Sequence, residues 1–259
     1  MRHAPLWALA GLPAILLAGA IETRPLPPTA KPKPAPAVRS AECRWAAGPI
    51  KLDGVLDEAA WAKAPVLSDF SVYWLGRKAK TTTLARLLWD SQHLYFAAEM
   101  EDADLYADVK EHNGMTWLND VFELFFKPSA EKLAYYEFQV NPLNTRLELF
   151  LPSRGAGGYR RFAPAGPLGM ESAVKLDGTL NKWQDVDKGW TVEGRIPWTA
   201  FRATGGKPAA GDRWRFALCR YDYSVAFDQL ELSSTAPLTR PDFHRYEDYG
   251  ELVFRGPPD

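Results

Sequence analysis

Short runs of alternating apolar and polar residues, separated by turn signals, recur along most of this chain. In residues 120–127 (DVFELFFK), Phe122, Leu124 and Phe126 share one face, and residues 135–141 (YYEFQVN) alternate in the same way. A period of two residues is typical of strands with one buried face. The sequence has no heptad, no repeat and no long amphipathic helix. The pattern therefore predicts an all-β fold, a β-sandwich or a barrel, of which we favour an antiparallel β-sandwich.

The expected strands cover most of the chain after residue 80, at about 81–89, 93–101, 119–127, 133–141, 145–151, 171–177, 190–196, 213–221 and 249–254. Two short helical turns are expected, at 57–61 with Asp57 as N-cap and at 197–201 after Pro197. One face of the strands carries the expected core, Leu94, Phe96, Ala98, Met100, Trp190, Val192, Ile196, Trp214, Phe216 and Leu218.

The opposite faces are polar and carry Arg86, Glu123, Glu137, Gln139, Glu148, Glu193, Arg195, Arg213 and Arg215. We expect most of this surface to be solvated and crossed by ion pairs between strands. A smaller part, near aromatic residues in loops, is expected to form a recognition surface.

The N-terminal segment has the features of a signal peptide followed by a linker. Residues 1–20 have a basic start, an apolar run and Ala18-Gly19-Ala20, which predict a cleaved signal peptide. An uncleaved N-terminal anchor is the alternative. Residues 21–40 are rich in proline, alanine and lysine and predict a disordered linker. The domain would then cover 41–256 and be secreted or periplasmic, with no membrane span after cleavage.

The composition indicates which classes of ligand this protein is suited to bind. The net charge of −1 gives no indication of nucleic acid as a ligand. The aromatic fraction is 13%, with ten tryptophans, which fits a β protein that binds something with flat faces. The two cysteines, Cys43 and Cys219, could form a disulfide or remain two buried thiols, and the sequence leaves both possibilities open.

The segment 116–144 contains the strongest chemical signal. It places a loop tryptophan, Trp117, before strands that carry Glu123, Gln139 and Asn141. An aromatic plate beside carboxylate and amide groups suits a sugar, because the ring face stacks and the hydroxyls need donors and acceptors. In the alternative, Trp117 covers the end of the sandwich, Glu123 pairs with Arg86 or Arg215, and Asn141 caps a turn. Glu123, Glu137 and Glu148 could form a glycosidase pair, but few long loops are present to build a cleft, and we expect no enzyme.

The sequence contains candidate ligands for calcium and for haem. Asp102, Asp104 and Asp120 are candidate calcium ligands, because hard oxygens in loops suit this ion. No HxxxH or CxxC spacing indicates zinc. Met100, Met115, His112 and His244 could in principle be axial haem ligands, although Met100 falls on the core-facing set. No haem is expected.

Six ordered blocks resemble family 9 carbohydrate-binding modules: LDGVLDEAAW (52–61), LLWDSQHLYFAAEMED (87–102), WLNDVFELFF (117–126), YYEFQVNPLN (135–144), GWTVEGRIPW (189–198) and FHRYEDYGELVF (243–254). The resemblance implies a β-sandwich of jelly-roll type that binds sugars without cleaving them, between two aromatic plates. The family also carries bound calcium.

Carried over by motif, Trp117 is the first plate and Glu123 the carboxylate that bonds hydroxyls. Gln139 and Asn141 match the positions of further polar contacts, although characterised members have an arginine where Gln139 stands. Phe243 or His244 occupies the place of a second tryptophan plate. Arg86, on an outward face, completes the candidate set.

The expected function is non-catalytic binding of plant-type polysaccharides or oligosaccharide ends, in support of partner glycoside hydrolases. One alternative is a b-type haem electron-transfer domain, since related DOMON-type sandwiches hold haem. Another is a degenerate module that acts as an envelope scaffold.

Overall fold

The computed structural model of the protein describes residues 39–156, 158–163 and 166–257. The predicted signal peptide and nearly all of the predicted linker lie outside the described residues. Ser40, the last residue of that linker, is already the first residue of β1. Among the described residues, no helix combines the length and the apolar character needed to cross a membrane.

The described chain is built from strands joined by loops and short helical turns. The strands are β1 Ser40–Trp45, β2 Ser71–Val72, β3 Arg77–Lys78, β4 Thr83–Trp89, β5 His93–Glu101, β6 Val121–Lys127, β7 Tyr135–Val140, β8 Arg146–Leu151, β9 Glu171–Asp177, β10 Gly189–Pro197, β11 Arg213–Asp222, β12 Glu231–Ser234 and β13 Gly250–Phe254. The helices are α1 Ala59–Lys63 and α2 Tyr159–Phe162, with 3-10 turns at Tyr73–Leu75, Thr116–Leu118, Trp198–Thr204 and Tyr246–Asp248.

The predicted all-β class is confirmed, and every expected strand forms with its ends displaced by at most two residues. The first helical turn starts later than expected. Glu58, not Asp57, precedes α1, and its side chain makes no capping bond to the helix. Instead it accepts a hydrogen bond from the backbone N–H of Lys51 at 2.9 Å.

Two sheets form the sandwich, and β1 belongs to both. The first sheet has the order β8-β7-β6-β11, and the other edge of β11 pairs with β13 and then with β12. The second sheet has the order β4-β5-β10-β9. β1 runs parallel to β13 through residues 40–43 and parallel to β4 through residues 44–45. These two parallel pairings are the departure from the antiparallel pattern that alternation predicts.

The main core lies between the two sheets, where the residues predicted to face the core pack against aromatic side chains of the facing sheet. Every residue predicted for the core from alternation is buried there. Phe201, in the turn Trp198–Thr204, closes this core, with ring centroids 4.9 Å from both Tyr136 and Trp214. Edge-to-face aromatic pairs of this kind stabilise the fold beyond the area that they bury.

Glu193 on the second sheet is fully buried, and the expected solvated polar face is also wrong for β6 and β7 of the first sheet. Loops cover its outer face and form a second apolar layer that includes Phe125, Tyr135, Leu149 and Tyr249. Glu123, Glu137 and Gln139 are therefore at most 5% exposed. Carboxyl and amide groups buried in this way need a structural or a ligand partner.

The cysteines lie in different apolar layers. Cys43 belongs to the core between the sheets and Cys219 to the outer layer, and both are buried free thiols. Of the two possibilities that the sequence left open, the structure therefore shows the unpaired thiols.

Candidate functional site

A cavity of about 430 Å³ lies on the outer face of the first sheet. Its floor comes from β6, β7, β8 and β11, which present Glu123, Gln139, Leu149 and Tyr221. Three segments form the rim: Trp117 before β6, residues 153–156 and 158–159 after β8, and residues 241–244 before β13. Alternation explains the floor, because every second residue of these strands points to the same side.

Trp117 stands at the rim in the 3-10 turn Thr116–Leu118 and is half-buried. Its indole meets the ring of Tyr159 edge-on, with centroids 4.8 Å apart at 83°. The hydroxyl of Tyr223 donates to the backbone carbonyl of Trp117 at 2.9 Å. Trp117 is therefore held from two sides while part of it faces the cavity, as a binding plate requires.

A chain of hydrogen bonds crosses the cavity floor. The hydroxyl of Thr116 donates to Oε1 of Gln139, and Nε2 of Gln139 donates to Oε1 of Glu137, both at 2.5 Å. Glu123 is the direct cross-strand neighbour of Gln139 and is 1% exposed. Within the described part of the chain, no hydrogen bond reaches the Glu123 carboxyl. It lines the cavity, so its oxygens can bond a ligand there.

Burial and proximity favour the neutral forms of the two glutamic acids. Burial, together with the nearby Glu137, raises the pKa of Glu123 well above its usual range. Burial also raises the pKa of Glu137, against the opposing effects of His244 and of the bond from Gln139. Since a protonated carboxyl group can both donate and accept a hydrogen bond, the cavity floor can pair with a sugar hydroxyl either as donor or as acceptor.

Phe243 and His244 both line the cavity, as the sequence predicts, but neither is an open plate. Phe243 is 5% exposed, and its ring packs edge-on against Tyr221 at 5.4 Å. Nδ1 of His244 shares a hydrogen bond with the hydroxyl of Tyr135 at 2.9 Å. This wall is therefore a packed aromatic surface, not the second half of a two-plate clamp.

Several cavity residues were not predicted from sequence. Tyr135 and Tyr221 lie on strands, and the alternation of β7 and β11 could have found them. Arg154 comes from the glycine-rich loop after β8 and Tyr159 from the start of the short helix α2, where no period points to a side chain. Arg154 forms an ion pair with Glu247 at 2.6 Å, which ties this rim segment to the 3-10 turn Tyr246–Asp248.

A family model described as "Carbohydrate family 9 binding domain-like" matches residues 52–256. This chain belongs to that family. The match contains every strand from β2 to β13 and all of the cavity residues.

Known relatives agree with this membership. Endo-1,4-beta-xylanase A of Thermotoga maritima is 28% identical over 158 residues, which is 59% of this chain and 12% of that protein. A family 9 module from Caldicellulosiruptor kristjanssonii, solved with cellotriose, aligns with a TM-score of 0.58 and 17% identity over 85% of this chain and 96% of its own. A solved protein of Bacteroides uniformis aligns with a TM-score of 0.66 and 16% identity over 85% of this chain and 100% of its own. At these identities the solved structures support the fold alone.

Two of the predicted carbohydrate-binding residues do not contribute to the cavity. Arg86 is on β4, in the second sheet, and forms an ion pair with Glu99 at 2.6 Å, so it reaches neither Glu123 nor the cavity. Asn141 is fully buried and caps the turn after β7, where its Oδ1 accepts from the N–H groups of Leu143 and Thr145. Its Nδ2 donates to Val109 and Asn119, so the amide has no free group to offer a ligand.

Glu148 does not join the other two glutamates. It pairs across strands with Phe138, on the core side of the first sheet, and its Oε2 accepts from the N–H of Met170 at 2.8 Å. The expected group of three carboxylates is therefore reduced to Glu123 and Glu137 at the cavity.

The expected calcium ligands are only partly brought together. Asp102 and Asp120 meet Asp222, with one oxygen of each within 4.8 Å of the others. Asp104 is not in this group, because its Oδ2 accepts from the Ser224 hydroxyl and the Val225 N–H.

The guanidinium of Arg220 already occupies this acidic cluster, 3.1 Å from Asp102 and 3.2 Å from Asp222. The three carboxylates as arranged do not fit a calcium ion, because the ion would have to displace this buried cation. We derive no role for calcium from the cluster.

The candidate haem ligands do not converge. Met100 is packed in the core between the sheets, whereas Met115 is exposed. His112 lies beside Glu148 at 3.5 Å, and His244 is bonded to Tyr135 at the cavity.

Proposed function

We propose that this family 9 domain is a non-catalytic carbohydrate-binding domain that holds a sugar ring in the cavity beside Trp117. The observation that carries the proposal is the Glu123 carboxyl, which is buried, faces the cavity and has no hydrogen-bond partner in the described chain. A carboxyl group that lines a cavity and makes no hydrogen bond to the protein is free to bond a sugar hydroxyl there.

The rest of the cavity has matching chemistry. Trp117, Tyr159 and Tyr221 give apolar surface for the face of a sugar ring, and Glu123 and Gln139 give polar groups for its hydroxyls. The volume of about 430 Å³ lies within the usual range for small-ligand sites. Since the wall at Phe243 is packed, one face of the ring is expected to stack on Trp117.

The relatives support the kind of ligand and the setting. A family 9 module was solved with cellotriose, and a curated relative is named as an endo-1,4-beta-xylanase. The ligand is accordingly a plant-type polysaccharide or its oligosaccharide ends, and the partner a glycoside hydrolase that acts outside the cytoplasm. Export through a cleaved signal peptide remains a prediction, which the N-terminal sequence of the mature protein tests.

The cavity carboxyls support binding without cleavage. Burial raises the pKa of both Glu123 and Glu137, and Glu137 is also tied to Gln139. A glycosidase needs one carboxylate that stays ionised as nucleophile or base. Incubation of the protein with cellulose and xylan should therefore release no reducing sugar.

A glycan array followed by titration of tryptophan fluorescence tests the binding proposal. Cellobiose or xylobiose should quench the fluorescence of the wild-type protein with a Kd of about 1 µM or weaker, as expected for a small open site. Because Glu123 would bond the sugar directly, Glu123→Gln should weaken binding by about 10- to 100-fold.

The matched control is Glu99→Gln, which removes an exposed carboxylate on the second sheet and should leave Kd unchanged. Two results would overturn the proposal. One is an array without any sugar bound, and the other is equal affinity of the wild-type and Glu123→Gln proteins.

A further inference from the structure

A second aromatic surface lies next to the sugar cavity. It encloses about 400 Å³ and is formed by three loop segments, 104–106, 181–183 and 223–225. Trp183 is 62% exposed, and Val225 is 68% exposed. Tyr106 and Tyr223 meet edge-on, with ring centroids 5.9 Å apart. An exposed indole beside two tyrosines is an apolar patch of the kind that marks an interaction site.

This surface also holds a buried carboxylate with a free acceptor. Asp104 lines it and is 8% exposed. Both hydrogen bonds that reach its side chain, from Ser224 and Val225, end on Oδ2. Among the described residues, none donates to Oδ1. The surface thus repeats the combination found at Trp117, an aromatic plate beside a buried carboxyl group that is not fully bonded.

The two surfaces are connected through a hydrogen bond. Tyr223 belongs to the second surface, and its hydroxyl donates to the carbonyl of Trp117 at the rim of the first. Asp120, which follows the turn that carries Trp117, holds two segments of the second surface together, because its oxygens accept from the N–H groups of Tyr106 at 2.6 Å and Tyr223 at 2.7 Å. Tyr221, in the first cavity, precedes Tyr223 by two residues, or roughly 7 Å of extended chain.

From this arrangement we propose that one oligosaccharide chain occupies both surfaces, with one ring at Trp117 and a later ring on Trp183 beside Asp104. This inference rests on the proposed function and extends it, since it makes the domain selective for chain length. A saccharide is the occupant that fits, because exposed aromatic faces and a buried acceptor together match the apolar face and the hydroxyls of a sugar ring.

Titration calorimetry with glucose, cellobiose and cellohexaose tests the inference on the full chain. Cellohexaose should bind the wild-type protein more tightly than cellobiose, with one chain per protein. Trp183→Ala should weaken cellohexaose by about three- to tenfold, as loss of one aromatic stacking contact implies, and leave glucose and cellobiose unchanged. Asp104→Asn keeps the shape and should weaken cellohexaose alone.

Leu75→Ala is the matched control, since Leu75 is 64% exposed and lines neither surface. An unchanged Tm in each variant shows that the fold is intact. Equal affinity of the wild-type and Trp183→Ala proteins for cellohexaose would overturn the inference and leave the proposed function standing. Two independent sugars per protein would also overturn it. If the wild-type protein binds none of the three sugars and no other array glycan, the proposed function itself fails.

Discussion

Replacement of Arg220 by methionine should destabilise the domain strongly, because Arg220 is the only cation in contact with the Asp102–Asp120–Asp222 cluster among the described residues. Its guanidinium is fully buried and also donates to the carbonyl of Glu101 at 2.7 Å. Removal of one partner from a buried ion pair usually costs about 3–5 kcal/mol, since the remaining charge is left uncompensated. Here two carboxylates lose their partner, so we expect a loss in the upper part of that range.

The loss should depend on pH. Burial raises the pKa of Asp102 to about 7, although Arg220 lowers it, and burial raises the pKa of Asp120 as well. A folded-state pKa above the unfolded value means that the folded protein holds more protons. The free energy of unfolding therefore falls as pH rises from about 4 towards 7. Without Arg220 these carboxyls titrate at still higher pH, so the variant should lose more stability at pH 8 than at pH 5.

Urea unfolding and thermal unfolding of both proteins at pH 5 and pH 8 measure this difference. A loss of 3–5 kcal/mol corresponds to about 6–20 °C in Tm for a domain of this size. Arg213→Met is the matched control on the same strand. Arg213 is exposed and pairs with Glu251 at the surface, so its loss should cost less than about 1 kcal/mol. If Arg220→Met stays within 1 kcal/mol of the wild type at both pH values, Arg220 does not balance the cluster and the reasoning fails. A Tm that rises when calcium is added would also contradict it.

Three further outcomes follow from the cavity and the core. Glu137→Gln should be more stable than the wild type at pH 8 and similar at pH 4, because the folded wild type holds a proton on Glu137 that unfolding releases. In urea unfolding, the decline of the unfolding free energy with pH should be smaller in the variant by up to about 1.4 kcal/mol per pH unit. Parallel curves of unfolding free energy against pH would refute this. Arg154→Ala breaks a half-exposed ion pair with Glu247, so the free energy of unfolding should fall by less than about 1 kcal/mol. Stopped-flow fluorescence should show faster sugar release from this variant. An unchanged release rate would show that the rim does not retain the ligand. Phe201→Ala leaves a cavity at a fully buried site and should lower the free energy of unfolding, measured in urea, by about 3–5 kcal/mol. A loss below about 1 kcal/mol would mean that neighbouring side chains fill the cavity.

The period of two residues predicts most of the fold correctly. It gives nine of the thirteen strands of the described residues, their ends to within two residues and, except at Glu148, the side that faces the core, because a buried face leaves a direct trace in the sequence. It does not give β1, β2, β3 and β12. It does not predict that β1 runs parallel to both neighbours, since strand direction depends on the path of distant chain segments.

The same period misled the interpretation of the outer face. Glu123, Glu137 and Gln139 look like a solvated surface when each strand is considered alone. They are buried because loops from three distant parts of the chain fold over them, and no local pattern reports that cover.

The candidate site was predicted in part. Trp117, Glu123, Gln139, Phe243 and His244 meet at one cavity, whereas Arg86 lies on the second sheet and Asn141 caps a turn. Sequence alternation assigns a side to a residue but not a sheet, which explains the error at Arg86. Arg154, in a loop, and Tyr159, in the four-residue helix α2, were missed because such short or irregular segments have no period from which a side chain's direction can be inferred.

The most direct test of the central claim is calorimetric titration of the wild-type and Trp117→Ala proteins with cellobiose and xylobiose. We expect at least one of these sugars to bind the wild type saturably, with one sugar molecule per protein, and no detectable binding to Trp117→Ala. Trp183→Ala, which removes an exposed tryptophan outside the cavity, should bind these short sugars like the wild type. Equal binding by the wild-type and Trp117→Ala proteins would contradict the claim that the sugar lies beside Trp117.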